Sequence, residues 1–435
     1  MSTPSRALVA VAVLTGLWAG PAAAQSPPDA MPLGGFAPPA FGPAMAAAGA
    51  DPMPMEAPVL ATDTLGSAIG AHGPRAWFGV EYLLYWTKDA PVPFAVANVG
   101  PASGTGITGA PGVQPLFGNT TIDFTNFSGV RTTGGFWLTN NESIGIEGSM
   151  FFLPKNNSGT PPLTGSDVLP VLARPFFNTA TNQQASRVLS KPGQFLGNIQ
   201  TTAGLELWGA EIGPIWRIRD NGRWSLDAIT AFKFVSLTES LDIVDVANTI
   251  GGGVSVLQGR AFASPSTLSV SDQFTAFNQF YGATLGLRSN LHVEAFTWSV
   301  TGKIGLGHMS SLLRANGSST VSGSNTAPLT SIGGFYASGA NLGDFKTSQF
   351  SAIPEIGTSL NVQITGWLAL NLGYNFMCIT DVVRPGDQIT GQINANGIPT
   401  SPNFGARTGP TGSTIPLSTT NFWAQGFNVG FAIGF

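Results

Sequence analysis

The chain has 435 residues, and charged residues make up only 10% of them, against about 25% in an ordinary soluble domain. The formal net charge is -4 and no basic stripe runs along the sequence, which gives no case for a nucleic-acid partner. The single cysteine, Cys378, excludes an internal disulfide and a cysteine-based zinc site. The three histidines are scattered along the chain, so we expect neither a metal site nor any other cofactor.

Residues 1–24 are predicted to be a signal peptide that is cleaved after export. Arg6 supplies a positive charge, residues 7–17 form a short apolar core, and alanines at 22–24 form a small-residue cleavage site. The apolar core is shorter than the roughly 20 residues that a membrane-spanning helix needs. Residues 25–75 are rich in Pro, Ala, Met and Gly, which predicts a disordered linker on the periplasmic side.

From residue 76 onward, large apolar side chains recur at every second position. A period of two places alternate side chains on opposite faces of a β-strand. The C-terminal segment shows the pattern well, since nearly every odd position from Trp423 to Phe435 is large and apolar. The alternation predicts ten strands, centred on residues 78–86, 130–138, 144–152, 208–216, 224–234, 281–287, 296–306, 350–362, 368–376 and 423–435.

The connections between these strands alternate in length. Those after the second, fourth, sixth and eighth strands are short, and the others are long. Short periplasmic turns and long extracellular loops are typical of outer-membrane barrels. Since no apolar run after residue 25 could form a spanning helix, only a closed barrel could cross a membrane.

We therefore predict an all-β fold in residues 76–435, a closed antiparallel up-and-down transmembrane β-barrel of about ten strands, located in the outer membrane. Twelve strands is the alternative. The connections from Pro154 to Ala203 and from Leu237 to Asp272 are long enough to contain another hairpin, and runs such as 241–246 and 254–257 have strand character.

Apart from Glu206, which is near the outer end of its strand where a charge in lipid costs less, the charged residues of the strands fall on the opposite parity from the apolar ones. If the apolar face meets lipid, the charged residues face the lumen. A Lys or Arg on the lipid face near the membrane midplane would instead destabilise the barrel by about 2–4 kcal/mol. The charges could form a constriction that selects solutes, or ion pairs that close the lumen, which the small width of such a barrel favours. We call these five acids and five bases the lumen set: Glu81, Arg131, Glu147, Glu211, Arg217, Asp227, Lys233, Arg288, Lys303 and Glu355.

Several stretches resemble one protein family, the beta-barrel porin-seven family of planctomycete outer-membrane proteins. The resemblance runs from Trp77 to the end of the chain, is most specific at Val382 to Gln388, and implies an outer-membrane barrel. The stretches that carry it are WFGVEYLLYW (77–86), GGFWLTNNESIGIEGSMFF (134–152), QFYGATLGL (279–287), SVTGKIGLG (299–307), AIPEIGTSL (352–360), LGYNFMCITDVVRPGDQ (372–388) and FWAQGFNVGFAIGF (422–435).

The most specific stretch contains Arg384, Pro385, Gly386, Asp387 and Gln388, at the start of the last long loop. Its Pro-Gly pair predicts a tight turn, with proline fixing one backbone angle and glycine supplying the other. The alternative is a ligand site at the barrel mouth that uses Asp387 and Gln388.

Tryptophans lie near the ends of the predicted strands. They predict aromatic girdles at the two membrane interfaces, and a sugar-binding platform is the alternative. The residues are Trp77, Trp86, Trp137, Trp208, Trp216, Trp224, Trp367 and Trp423.

Three functions follow from this reading, and outer-membrane lipid is a partner in each. The first is a porin-like passive channel for small solutes. The second is a plugged barrel that is structural or binds surface ligands through its outer loops. The third and least favoured is an outer-membrane hydrolase built on His308, which we expect on the lumen side of the seventh strand. One isolated histidine is a weak signal, so we predict no catalytic residue and no enzyme.

Overall fold

The computed structural model describes residues 75–323, 326–406, 415 and 417–435, so the predicted signal peptide and all but the last residue of the predicted linker lie outside it. One turn of α-helix, α1 (Pro385–Gln388), and two 3-10 turns, Gly339–Asn341 and Ala395–Gly397, accompany the strands. The strands are β1 (Ala76–Thr87), β2 (Ala90–Gly100), β3 (Gln114–Ile122), β4 (Phe127–Trp137), β5 (Ile144–Gly159), β6 (Val171–Asn178), β7 (Gln183–Ser190), β8 (Phe195–Asp220), β9 (Trp224–Thr249), β10 (Val254–Leu257), β11 (Arg260–Ala263), β12 (Ser266–Val293), β13 (Phe296–Gly323), β14 (Thr326–Ile332), β15 (Gly343–Thr365), β16 (Leu368–Val382), β17 (Gln392–Ile393) and β18 (Thr420–Gly434).

Ten of these strands form a ring in which every strand pairs antiparallel with its neighbours. The order is β1, β4, β5, β8, β9, β12, β13, β15, β16 and β18, and β18 pairs again with β1, from Trp77 opposite Gly434 to Thr87 opposite Ala424. Ring neighbours are also neighbours along the chain, apart from the short strands in the loops. The predicted all-β, up-and-down barrel of ten strands is confirmed.

The two faces of the ring differ as the alternation predicted. Large apolar side chains on the outward parity are exposed in the isolated chain, as a lipid-facing surface requires. No helix among the described residues is long and apolar enough to span a membrane. The outward, exposed residues include Phe78, Val80, Tyr82, Val130, Phe136, Met150, Ile212, Phe232, Leu285, Leu287, Phe296, Trp298, Ile356, Phe427, Val429 and Phe431.

Four strands continue far beyond the membrane. β8, β9, β12 and β13 have 26 to 28 residues each, whereas a crossing takes about 9–11. The predicted loop from Leu237 to Asp272 is therefore wrong at both ends, because residues 237–249 belong to β9 and 266–272 to β12. Beyond the membrane the apolar residues move to the inner face, so the outward apolar pattern that marked the strands disappears there. We call this four-stranded extension the wall.

Long loops fold back to fill the space inside the wall. β2, β3, β6, β7 and β17 form a second sheet, in the order β17-β6-β2-β3 with β7 also paired to β6, which we call the loop sheet. Its apolar residues form one continuous buried cluster with the inner face of the wall. The extra hairpin considered for Pro154 to Ala203 exists as β6 and β7, but it joins the loop sheet and not the ring.

Candidate functional site

The structure places all ten residues of the lumen set on the inner face of the ring. Nine of them line one cavity of about 220 Å³ inside the membrane-spanning part, and Arg217 lies below it toward the periplasmic end. The inward position of each follows from the alternation, because neighbouring residues on each strand face lipid. Between the charges, small polar residues such as Thr133, Ser149, Asn371 and Asn375 complete the lining.

Arg288 and Glu147 form an ion pair that spans a chord of the lumen. Arg288 Nη1 lies 3.0 Å from Glu147 Oε2, and Nη2 lies 2.5 Å from Oε1. Arg288 is on β12 and Glu147 on β5, with β8 and β9 between them in the ring. A two-pronged pair of this kind is among the stronger protein ion pairs, and here it crosses the lumen.

Two lysines and two glutamates form a second network of ion pairs across the lumen. Glu211 is directly opposite Lys233 on neighbouring strands, with Lys233 Nζ 2.8 Å from Glu211 Oε2. Lys303 is likewise opposite Glu355, with Nζ 3.4 Å from Oε2. Lys303 also contacts Glu211, and Lys233 contacts Glu355, so two cross-strand pairs are tied together across the lumen.

The other bases of the lumen set are paired as well. Arg131 lies 3.3 Å from Glu81 and donates to the Tyr85 hydroxyl at 2.8 Å. Arg217 Nε lies 3.2 Å from Asp227 Oδ1, and its guanidinium stacks on Trp137 at 4.7 Å. Each base of the set thus has an acidic partner, which leaves little net field to select a charged solute.

Two tryptophans pack together inside the periplasmic end of the ring. The rings of Trp77 and Trp137 are 5.7 Å apart, and both pack with Ile215 and Ile229 in a small buried cluster. The girdle prediction is therefore wrong for Trp77 and Trp137, because both are odd-numbered on strands whose odd positions face inward. Trp208 is outward, 4.8 Å from Phe234, as a girdle residue should be.

His308 faces outward, and the expected lumen position is wrong. It is opposite Tyr281 on β12 and Phe350 on β15, and all three side chains are exposed. The reason is the period of two, which gives His308 the lipid-facing parity of Ile304 and Leu306. A histidine in this position cannot act with acids of the lumen.

The outer half of the barrel holds an ion cluster that the sequence analysis did not identify. Arg174, on the loop sheet, lies 2.7 Å from Asp245 Oδ2 on β9 and 2.8 Å from Asp272 Oδ2 on β12, and none of the three is accessible to solvent. Its guanidinium also stacks on Phe335 and Tyr336, at 4.4 and 4.5 Å. Burial disfavours the charged form, but Asp272 and Asp245 outweigh it and raise the pKa of Arg174 above its ordinary value.

Asp272 also fixes the loop between β14 and β15. Its Oδ1 accepts hydrogen bonds from the backbone N–H groups of Phe335, Tyr336 and Ala337, at 2.7, 2.9 and 2.9 Å. The Tyr336 hydroxyl in turn donates to the Ala95 carbonyl oxygen of β2 at 3.1 Å. Burial raises the pKa of Tyr336 to about 12, and one acid therefore joins the wall, the loop sheet and this loop.

The Arg384 to Gln388 stretch lies inside the barrel. The predicted tight turn is wrong, because residues 385–388 form the single helical turn α1 and Arg384 immediately precedes it. Arg384 Nε and Nη2 donate to the two carboxylate oxygens of Glu239 on β9, at 2.9 and 2.7 Å. Gly386 does not adopt the positive φ that the turn prediction needed. Glycine is needed at this position because the backbone of α1 passes very close to β2. A Cβ on residue 386 would lie 1.6 Å from the Pro91 carbonyl oxygen.

The alternative use of this stretch as a ligand site at the mouth relied on Asp387 and Gln388. Gln388 is buried and donates to the Ser418 carbonyl oxygen at 2.9 Å. Asp387 accepts a hydrogen bond from Thr420 at 3.3 Å. Both side chains are thus engaged in holding the start of β18, which favours a structural role.

The described residues contain no group of three or more His, Cys, Asp or Glu side chains placed to hold a metal ion. His292, near the end of β12, is paired with Thr297 at 3.1 Å. The charges described above join opposite parts of the ring, and the loops pack inside it.

Several solved structures of outer-membrane proteins align with the chain at low similarity. The outer membrane protease OmpT from Escherichia coli aligns over 83% of this chain and 96% of its own, at 7% identity and a TM-score of 0.37. A Pseudomonas aeruginosa FadL homologue aligns over 87% and 99%, at 10% identity and a TM-score of 0.24. The P. putida toluene transporter TodX aligns over 83% and 90%, at 8% identity and a TM-score of 0.21. All three TM-scores are below 0.5, so none of these likenesses bears on the activity of the present chain.

A search of the curated proteins found no match. The model of one family does match, over residues 77–435, which is nearly the whole of the described chain. The protein therefore belongs to the family described as Putative beta barrel porin-7 (BBP7), and its fold is a β-barrel of the outer-membrane type.

Proposed function

We propose that the protein is a closed outer-membrane barrel that acts at the cell surface through its outer loops and does not serve as an open pore. The observation that carries the proposal is the buried cluster of Arg174, Asp245 and Asp272, which fastens the loop sheet to the inside of the wall. Removing one partner of a buried ion pair leaves an uncompensated charge, at a cost of about 3–5 kcal/mol. A loop sheet held by this cluster therefore remains inside the outer opening of the barrel.

A second closure supports the proposal independently. An eight-stranded barrel is just wide enough for side chains to fill, and a ten-stranded one is only slightly wider. Here Arg288 with Glu147, and Lys303 with Glu211, join strands that are separated by two others in the ring. A solute that entered from the periplasm would therefore meet the ion pairs first and the apolar loop sheet next.

The passive channel is the second candidate. The polar cavity of about 220 Å³ favours it, as does the word porin in the family description. In that case both the loop sheet and the ion pairs of the lumen must move to let a solute pass. The hydrolase has no comparable support, since His308 faces away from the lumen acids.

Solute permeation into vesicles tests the proposal. The mature chain is refolded into phospholipid vesicles, its folding is checked by heat-dependent gel migration, and vesicle swelling is followed in solutions of small sugars. We expect swelling at the rate of empty vesicles, with a general diffusion porin as the positive control. Permeation that falls with increasing sugar size would support the channel and reject the closed barrel.

A further inference from the structure

The outer face of β13 and β15 changes from apolar to donor-rich within a few residues. Toward the periplasm it carries Ile304, Leu306 and Ile356, and at its upper limit Phe350, which is 69% exposed. The next outward positions toward the cell exterior carry mostly polar and basic side chains, with Leu312 and Asp344 among them. We call these the outer-wall site: His308, Ser310 and Arg314 on β13, with Lys346 and Ser348 on β15.

The strand register brings these side chains together on one surface. Ser310 is opposite Ser348, and the next outward pair places Lys346 opposite Leu312. Side chains directly opposite on antiparallel strands have Cβ atoms about 4.5–5.5 Å apart, and diagonal neighbours about 7–8 Å. Lys346 therefore lies within one diagonal step of both Ser310 and Arg314 and two residues from Ser348 on the same strand. Lys346, Ser310 and Ser348 can accordingly reach one small anion.

Most of these donors have no partner among the described residues. No hydrogen bond or salt bridge engages His308, Ser310, Lys346 or Ser348 in the part of the chain that the structure describes, and all four are exposed. Lys346 does interact electrostatically with the nearby carboxylate of Asp344. Arg314 is paired with Asp344 at 3.0 and 3.3 Å, but about half of each side chain is open to solvent. The bases of the lumen set, by contrast, are all paired.

We infer that the outer-wall site binds the phosphate of a lipid headgroup in the outer leaflet of the membrane. The position supports a lipid as the ligand, because the site lies directly beyond the apolar surface of Leu306 and Phe350, where acyl chains would end. Charge complementarity supports the phosphate, which accepts hydrogen bonds from Lys, Arg and serine hydroxyls. The proposal does not depend on whether the lumen is closed.

Thermal unfolding in mixed micelles tests this inference. The folded mature chain is titrated with phosphatidylglycerol or, in parallel, with phosphatidylcholine, and the rise in Tm gives the affinity for each lipid. We expect phosphatidylglycerol to stabilise the wild type more than phosphatidylcholine does. The double variant Lys346→Gln with Arg314→Gln should bind phosphatidylglycerol about tenfold more weakly, the loss expected for one charge-assisted hydrogen bond.

Two further variants separate a defined site from general attraction of acidic lipid to a basic surface. Lys155→Gln removes an exposed lysine from β5, four strands away in the ring, and should leave the affinity unchanged. Ser310→Ala with Ser348→Ala keeps every charge and should weaken binding. Equal weakening by Lys155→Gln and by the double variant, or equal affinity for the two lipids in the wild type, would overturn the inference. The readout is lipid affinity, so it is separate from the permeation test of the closed lumen.

Discussion

Arg174 Nη1 lies 2.7 Å from Asp245 Oδ2, and neither side chain is accessible to solvent. The pair joins a strand folded from a long loop to the inner face of a strand that crosses the membrane and continues beyond it. Below it, the lumen set forms ion pairs along chords of the same ring. In this barrel, therefore, ion pairs cross the interior at two levels.

Loss of the buried arginine should release the loop sheet. Arg174→Met leaves Asp245 paired with Arg187 alone and Asp272 with backbone donors alone, so we expect a loss of up to about 3–5 kcal/mol. Urea unfolding in vesicles measures the loss, and trypsin cleavage at Lys191, just after β7, reports release of the sheet.

The exposed Arg260→Met serves as the charge-matched control and should behave like the wild type. An Arg174→Met protein with unchanged stability and protease resistance would show that the cluster does not hold the sheet.

A methyl group at Gly386 should disrupt the packing of α1 on β2. The new Cβ would lie 1.6 Å from the Pro91 carbonyl oxygen, so one backbone segment must move, at a cost of at least about 1–3 kcal/mol. Gly391→Ala is the matched control, because its Cβ would meet nothing within 4 Å. Equal unfolding midpoints for the two variants would contradict the close approach described here.

Adjacent threonines on β4 provide a direct test of the two faces. Thr133 lines the lumen cavity, whereas Thr132 is opposite Val80 and Met150 on the outward parity. Thr132→Lys places a charge in lipid near mid-strand and should cost about 2–4 kcal/mol. Thr133→Lys should cost much less in the same urea titration, and the reverse order would mean that the assigned faces are wrong.

Alkaline pH should weaken the outer packing through Tyr336. Its pKa is raised by burial from 10.0 to about 12, so between these values the unfolded chain loses the proton while the folded chain keeps it. The contribution to stability is therefore fully present below pH 10 and is lost as the pH rises through about 12. Tyr336→Phe should remove this dependence and the highest tyrosinate transition in an ultraviolet titration. Loss of a transition near pH 10 in the variant, instead of one near pH 12, would place Tyr336 in an ordinary solvated environment.

The ring and its faces could be predicted because the membrane imposes a simple rule. Every crossing must present apolar side chains to lipid at every second position, so Leu285 and Leu287 fix the inward position of Arg288 without any further information. The same rule gives the strand number, since each crossing leaves its own alternating segment. An inward parity does not reveal which strand across the lumen supplies a partner, so the pairing of Arg288 with Glu147 could not be predicted.

The part of the barrel outside the membrane has the opposite apolar pattern, and this made its interior harder to predict. Outside the membrane the wall has water on its outer face, so its apolar residues turn inward and the lipid-facing signal ends near Phe234. A continued alternation was present at Leu237, Leu241 and Ile243, on the parity opposite to the lipid-facing one, and Asp245 follows it. Arg174 gave no periodic signal, because its position depends on the folding of a loop.

Single-channel recording of the refolded mature chain in a planar bilayer tests the closed lumen most directly. Insertion is established first by protease protection, and Lys303→Gln and Arg131→Gln are recorded beside the wild type. We predict no conductance steps from the wild type, because the loop sheet and the ion pairs of the lumen both obstruct the path. Reproducible steps whose size changes when Lys303 or Arg131 is neutralised would contradict the closed barrel and establish a pore lined by the lumen set.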